Sequence, residues 1–481
     1  MALPIDFIAR ARALLGESEY ERLEAALRTE APVSLRLNPL KGIPAPVEGE
    51  PVPWCASGYY LPGRPAFTFD PFLHAGAYYV QEASSMFLEQ AIKTYVRKPV
   101  RCLDLCAAPG GKSTHLAALL PAGSLLVSNE VIRSRANILA ENIAKWGSPD
   151  CVVLNNDPAE LGDALPHLFD VIVADVPCSG EGMFRKDAAS AGEWSVENVR
   201  LCAVRQRRIM HDIWEALCPG GIMVYSTCTY NTEEDEENIH YIVEELGAEA
   251  LPIPTRDEWQ VTGALRHNHP VYRFLPHKTR GEGFFLAVLR KAEGERREIR
   301  LRQKGKKRKA TSGRTSAREP KNIGRELKNL APDPHTLLQP GDYAPLQMGD
   351  GSLRVIPSAH AETIGILLEA ELRPLLAGIC LGEEKGKDFV PAQELALSAA
   401  LRPDAFPSVE LEWADAIRFL RREALAALPT GLEKGYVLAR YRGLPLGFLK
   451  HLGNRANNLY PQEWRIRSGY LPDSPVDLFR K

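Results

Sequence analysis

The amino-acid sequence predicts an α/β protein of several domains, built around a parallel sheet with helices on both faces. Three observations carry this expectation. Between Tyr79 and Lys291, short apolar runs rich in Val, Ile and Leu alternate with segments of helical period, the pattern of repeated strand–helix units. At 481 residues the chain is too long for one core. The pattern also changes at both ends, to Pro- and Gly-rich loops before Tyr79 and to short strands between turn signals near the C-terminus. The expected divisions are a leading α+β module at residues 1–78, a strand–helix domain at 79–291, a basic flexible linker at 292–330 and a mixed domain at 331–481.

The elements are expected in the following order. Ile5–Leu15 and Glu19–Leu27 carry helical periodicity, and Val33, Leu35 and Leu37 alternate as one face of a strand. Arg36 and Asn38 fall on the other face of that strand, wet or turned to nucleic acid. Val100–Leu105, Leu125–Glu130, Cys151–Asn156, Val171–Asp175 and Gly221–Thr227 read as five successive strands. Helices Lys112–Leu120, Arg133–Trp146, Glu197–Leu217 and Glu233–Leu246 lie between and after them, and Val271–Phe274 with Phe284–Leu289 forms a closing hairpin. In the tail, Ala361–Leu376 reads as a helix, followed by strands Lys434–Arg440, Leu446–Lys450 and Trp464–Arg467. His451–Asn458 is a loop suited to phosphates or base edges.

Composition narrows the function classes. No apolar run is long enough for a membrane span, and the first residues read as an amphipathic helix, not a signal peptide. Nine cysteines, an odd number without CxxC pairs, argue for a reducing, cytoplasmic setting and against a disulfide framework or a zinc site. Net charge is −2, yet Arg290–Lys328 holds 16 Lys/Arg against 5 Asp/Glu, a local +11 that leaves −13 on the remainder. Such a block reads as a mobile segment touching phosphate backbones. No membrane partner is expected, and a monomer is the working expectation.

Chemistry concentrates at the carboxyl ends of the five strands, where open parallel sheets bind ligands. Asp104–Ala117, DLCAAPGGKSTHLA, turns from strand to helix through small residues. There the backbone of Cys106, Ala107, Ala108, Pro109, Gly110, Gly111 and Lys112 can approach a ligand, and the helix start can hold a carboxylate. The stretch is neither a P-loop nor GxGxxG. Glu130 ends the second strand, where an acid can accept ribose hydroxyls, and Asn156–Asp157 ends the third, where an amide or acid suits an adenine amino group. With no metal motif, these features outline S-adenosylmethionine. DVIVADVPCSGEG (Asp170–Gly182) delivers Asp175, Pro177 and Cys178 to the end of the fourth strand, and YSTCTYN (Tyr225–Asn231) delivers Cys228 to the end of the fifth. Two thiols beside a methyl donor fit pyrimidine carbon-5 methylation, in which a thiolate first adds to carbon 6. Asp175 is the acid for ring nitrogen 3, and Lys112 is the cation that could favour the thiolate. Chemistry alone leaves open which thiol attacks.

DLCAAPGGKSTHLA, SNE, ND, DVPCSGEGMFRKD and YSTCT, in this order, resemble the Sun-type (nucleolar protein) RNA cytosine-5 methyltransferases. The resemblance runs upstream through VSLRLNP and GAYYVQEASS, over about residues 30–290. KGKDFVPAQELALS and KGYVLARYRGLPLGFLKHLGNRANNLYP resemble, more loosely, the C-terminal region of the F-type bacterial small-subunit ribosomal RNA methyltransferases, which carries a PUA-type RNA-binding fold. The resemblance implies a Rossmann-like methyltransferase domain, an RNA-binding leading module and a PUA-like tail. It implies Cys106–Lys112, Glu130, Asp157 and Asp175 at the S-adenosylmethionine site, Cys228 as nucleophile, and Cys178 in breakdown of the covalent adduct. DNA cytosine-5 methyltransferases imply the reverse thiol assignment. The implied substrate is 16S ribosomal RNA, with transfer RNA, or a non-catalytic role in ribosome assembly, as the alternatives.

Overall fold

The computed structural model describes residues 3–297, 332–348, 351–425, 429 and 431–479. Most of the basic stretch expected to act as a linker lies outside the described residues. Among them, no helix is long and apolar enough to cross a membrane.

A nine-stranded sheet forms the centre. Its strands are β1 (Arg101–Asp104), β2 (Leu125–Asn129), β3 (Cys151–Leu154), β4 (Phe169–Asp175), β5 (Leu217–Thr227), β6 (Glu249–Leu251), β7 (Val271–Phe274), β8 (Phe284–Arg290) and β9 (Pro374–Ala377). They lie in the order β6-β8-β5-β4-β1-β2-β3-β9, with β7 against β8. The stretch β3-β2-β1-β4-β5 is parallel, and its winding reverses between β1 and β4. That reversal opens a crevice at the carboxyl ends of β1 and β4. Alternate residues leave on opposite faces. Cys102, Val171 and Val173 pack with Trp54, Phe87 and Leu116 on one side. Leu103, Ile172 and Ala174 pack with Leu161, Met210 and Ile239 on the other. Burial on both faces explains why these strands read as continuous apolar runs. The covering helices are α1 (Gly111–Leu119), α2 (Arg133–Trp146), α3 (Pro158–Ala164), α4 (Val196–Ile213) and α5 (Glu236–Leu246).

Three elements differ from the sequence expectation. The helix expected over 197–217 ends at Ile213, and β5 starts already at Leu217, running through Pro219 and Gly220 with Gly220 at φ +70°. The helix expected over 361–376 ends at Glu369, because Pro374 cannot continue it. Pro374–Ala377 instead pairs antiparallel with β3 and closes that edge of the sheet. Leu376, 3% exposed there, gains about 2 kcal/mol from burial, against a few tenths per residue of helix propensity. Trp464–Arg467 forms no strand; Ala456–Asn458 does, pairing with Leu444–His451. In that segment Asn458 donates to the Phe419 and Glu423 carbonyls, while Asn454, Arg455 and Asn457 stay exposed.

The leading residues form helices Ile5–Leu15 and Glu17–Leu27 and a four-stranded antiparallel sheet with Val33–Leu37 as one of its two inner strands. The expectation that Arg36 and Asn38 form a wet or nucleic-acid face is corrected here, since both are buried. Their strand lies against α1 and α2 on the face expected to be free. Arg36 donates to Gln81 Oε1 (2.9 Å), Thr114 Oγ1 (2.6 Å) and the Gly111 carbonyl (3.3 Å), with its guanidinium 4.5 Å from the Trp146 ring centre. Asn38 donates to the Gly76 and Trp146 carbonyls. The leading module also shares a core with the C-terminal part of the chain: Leu35, Phe72 and Tyr78 pack with Ile417, Val437 and Tyr460.

Candidate active site

The crevice between β1 and β4 gathers most of the residues singled out by sequence. After β1 the chain turns through Cys106–Gly110 into α1. Gly110 sits at φ +115° as the residue before the helix, where a side chain would be strained, and no side chain caps the helix start. The first N–H groups of α1 are therefore offered to an anion. The loop is braced from outside: Arg135 donates to the Ala108 carbonyl (2.8 Å) and Asn142 to the Pro109 carbonyl (2.7 Å). Beneath it, Asp104 accepts from Ser113 Oγ (2.6 Å) through Oδ2, while its buried Oδ1 has no partner. Burial pushes this carboxyl up to about 7. An unpaired buried acceptor under a helix start fits a ligand carrying both an ammonium and a carboxylate.

Glu130, at the end of β2, is buried and accepts the Ile132 N–H (3.0 Å) through Oε1, with Arg135 at 3.3 Å from Oε2. Beside it Val131 and Ile132 are half exposed, an apolar platform that sequence reading missed. Two adjacent aliphatics directly after the strand-ending acid were the available signal. At the end of β3, Asn156 does not face the crevice freely: it donates to Glu160 Oε2 (2.8 Å) and accepts the Arg373 N–H (3.0 Å). Asp157 is partly exposed and caps α3, Oδ1 accepting the Ala159 N–H (3.0 Å). Loop, ribose-type acid, apolar platform and orphaned acceptor together fit an adenosine ligand with an aminoacyl tail.

On the other side of the crevice, parallel pairing of β4 with β5 brings the two thiols together. Cys178 and Cys228 stand with sulfurs 3.3 Å apart, both thiols free and partly exposed. Asp175 accepts from Ser226 Oγ (2.7 Å) and pairs with Lys112 Nζ (2.8 Å). Burial alone would lower the Lys112 pKa, but Asp175 first, then Asp104 and Cys228, raise it overall, so the ammonium is firmly kept. The hydrogen bond to the Cys228 sulfur, then burial, push the Cys178 thiol well up. Cys178 and Cys228 thus share a thiol–thiol contact in which either sulfur can donate.

Two buried acids unnoticed in the sequence hold the thiol loops in place. Glu181 accepts through Oε2 from Thr229 Oγ1 (2.7 Å), the Tyr230 N–H (2.6 Å) and the Asn231 N–H (3.0 Å), and through Oε1 from Trp194 Nε1 and Asn231 Nδ2 (both 3.1 Å). Glu234 accepts the Ser179 N–H (2.9 Å), Gln206 Nε2 and Asn231 Nδ2 (both 2.8 Å). The loop that follows β4 and the loop that follows β5 are tied to each other by these bonds. Behind them buried Arg273 pairs with Asp235 (3.1 Å) and Glu236 and donates to the Tyr230 carbonyl (2.8 Å). Arg273→Met leaves two buried carboxylates without their cation and is expected to cost about 3–5 kcal/mol, read from a urea melt; an unchanged midpoint would remove this pairing from the fold's support.

Family models describe three parts of the chain. The model of the 16S rRNA methyltransferase RsmB/F matches residues 96–290, that of the N-terminal domain of 16S rRNA methyltransferase RsmF matches 3–83, and that of the methyltransferase RsmF PUA domain matches 406–466. The chain is 31% identical to the ribosomal RNA small subunit methyltransferase F of Aliivibrio salmonicida, over 88% of this chain and 86% of the relative. It is 30% identical to the protein of the same name from Klebsiella pneumoniae, over 97% of each. Among solved structures, a methyltransferase homolog protein from Pyrococcus horikoshii covers 59% of this chain and 94% of its own, at 28% identity and a TM-score of 0.50. NSun6 from the same organism, with SFG bound, has the same fold over 60% of this chain and 99% of its own, at 19% identity and a TM-score of 0.51.

Proposed function

The chain belongs to the RsmB/F family of 16S rRNA methyltransferases, and from that premise we propose that it transfers the methyl group of S-adenosylmethionine to carbon 5 of a cytosine in small-subunit ribosomal RNA. The observation that carries the proposal is the Cys178–Cys228 pair at 3.3 Å, beside the Lys112–Asp175 ion pair, at the ends of adjacent strands. When bound, S-adenosylmethionine supplies an electrophilic methyl group. Cys106–Lys112 would hold its aminoacyl end, Asp104 its ammonium, Glu130 its ribose and Asp157 its adenine.

The chain's own residues do the rest. Cytosine carbon 5 is not nucleophilic until a thiolate adds to carbon 6. Cys228, the thiol that the resemblance marks as nucleophile, is the attacking sulfur; Cys178 Sγ stands 3.3 Å away, and Lys112 supplies positive charge close by. Asp175, oriented by Ser226 and Lys112, holds the ring-nitrogen-3 edge of the base as charge builds there. After methylation a solvent base takes the carbon-5 proton, the electron pair of that bond re-forms the carbon 5–carbon 6 double bond, and the carbon 6–sulfur bond breaks with its pair on the Cys228 sulfur. Cys178, donating to the departing sulfur, makes Cys228 a better leaving group. The base reaches this site only when flipped out of its stack.

Purified protein with labelled S-adenosylmethionine and 16S rRNA transcript is expected to label the RNA, with the new mark read as 5-methylcytosine by bisulfite sequencing. Label on another base or atom would sink the proposal. Asp157→Ala is expected to raise the donor Kd about tenfold by calorimetry, and the lost helix cap to cost about 1 kcal/mol of stability. Unchanged donor affinity would take Asp157 out of the donor site.

A further inference from the structure

The donor side of the crevice is occupied by the loops after β1, β2 and β3, so the target base and its strand need the other side. There a groove with a cavity volume of about 920 Å³ opens between the leading module and the thiol loops. Its walls are residues 29–33 and 61–64 of the leading module, residues 185–186 beyond the Cys178 loop, and residues 276 and 279–282 of the turn between β7 and β8. The groove lies against the backbone that carries the nucleophile. Gly182 donates to the Cys228 carbonyl (2.9 Å), and a Cβ on Gly182 would lie 3.0 Å from that oxygen and 3.1 Å from the Gly283 carbonyl. The Glu282 carbonyl accepts from Tyr230 Oη, two residues beyond Cys228.

The groove is built and charged. Arg185 donates to the Ala26 carbonyl at one wall and the Gly281 carbonyl at the other, which fixes its width. Three further cations line it. Arg64 is exposed, with its guanidinium 5.8 Å from the Phe67 ring centre. Arg280 lies 4.3 Å over the Tyr60 ring and pairs with the exposed Glu50. Lys186 is exposed, 3.6 Å from Glu282. The Arg280–Glu50 pair is solvent-exposed, and a pair of this kind is weak and exchanges readily for a phosphate. Glu30 and Glu282 are the acids in the lining, fewer than the cations.

We propose that this groove seats the RNA strand flanking the target cytosine, its phosphates held by Arg64, Lys186 and Arg280; the inference rests on the RNA methyltransferase reading. The test is filter binding of 16S rRNA transcript from 50 to 300 mM KCl, with Arg64→Glu/Lys186→Glu and Arg280→Glu variants of the full chain. Each variant is expected to bind about tenfold more weakly, and the salt slope to flatten by about 0.7 for each phosphate no longer neutralised. Donor affinity and melting temperature should match the wild type, which separates these effects from misfolding. Transcript carrying 4-thiouridine is expected to crosslink to peptides 61–64 and 276–282. Variants with wild-type affinity and slope overturn the groove, as do variants that lose binding only to assembled small subunits, which would make it a protein-docking surface. A wild type that transfers no methyl group to rRNA sinks the underlying reading instead, and the two failures are therefore distinct.

Discussion

Cys228→Ala is expected to abolish methyl transfer, by at least about a thousandfold, while Cys178→Ala is expected to leave the protein covalently fixed to its RNA. The two outcomes follow from different places on one reaction path. Without Cys228 no sulfur adds to carbon 6, and carbon 5 stays inert. Without Cys178 the addition still has its nucleophile, since Lys112 and Asp175 are untouched. What is lost is the neighbouring thiol, 3.3 Å away, that assists the sulfur as it leaves. The adduct then accumulates and should run as a slow band on a denaturing gel, dependent on S-adenosylmethionine and destroyed by ribonuclease. The opposite pattern, an adduct with Cys228→Ala and none with Cys178→Ala, would reverse the assignment. A Cys178→Ser variant sharpens the test. Its hydroxyl can still hydrogen-bond to the sulfur but is a far weaker acid than a thiol, so release should be slowed and adduct should appear at an intermediate level.

What could be read from sequence was chemistry carried by contiguous residues. DLCAAPGGKSTHLA shows strand, turn and helix start within one short window, so the loop around Gly110 was legible in advance. The meeting of Cys178 and Cys228 was legible because each lies just past a strand, and sequential strands tend to pair. Arg36 was misread since alternation gives the two faces of a strand without saying whether both are covered; α1 and α2 cover the second. Asn156 looked like a ligand residue, but Arg373, more than 200 residues away in the chain, claims its side chain through the strand Pro374–Ala377 that no local pattern marks as a partner of β3. Glu181 and Glu234 were passed over for a related reason. An acid in a Gly-rich loop, as Glu181, or in an acidic run, as Glu234, ordinarily faces water, and only the folded chain shows its oxygens turned inward onto N–H groups.

Glu181→Gln is therefore expected to lower the methylation rate about a hundredfold while the protein still folds. The carboxylate is 2% exposed and accepts five hydrogen bonds, four of them from Thr229, Tyr230 and Asn231, directly after Cys228. An amide keeps the shape but turns one acceptor oxygen into a donor. That NH₂ must face either the Tyr230 and Asn231 N–H groups or the Trp194 and Asn231 side-chain donors. Leaving buried donors unpaired costs about 1–3 kcal/mol each. The fold tolerates a loss of that size, but the loop relieves it by moving, and a displacement of about 1 Å of a nucleophile can cost a hundredfold in rate. The readout that separates positioning from mere instability is the adduct step in the Cys178→Ala background. Adding Glu181→Gln should slow adduct formation at a temperature well below the melting point, with donor affinity unchanged because Glu130 and the Gly110 loop lie on the far side of the crevice. Adduct forming at the original rate would show that the Glu181 clamp shapes the loop without governing where the Cys228 sulfur stands.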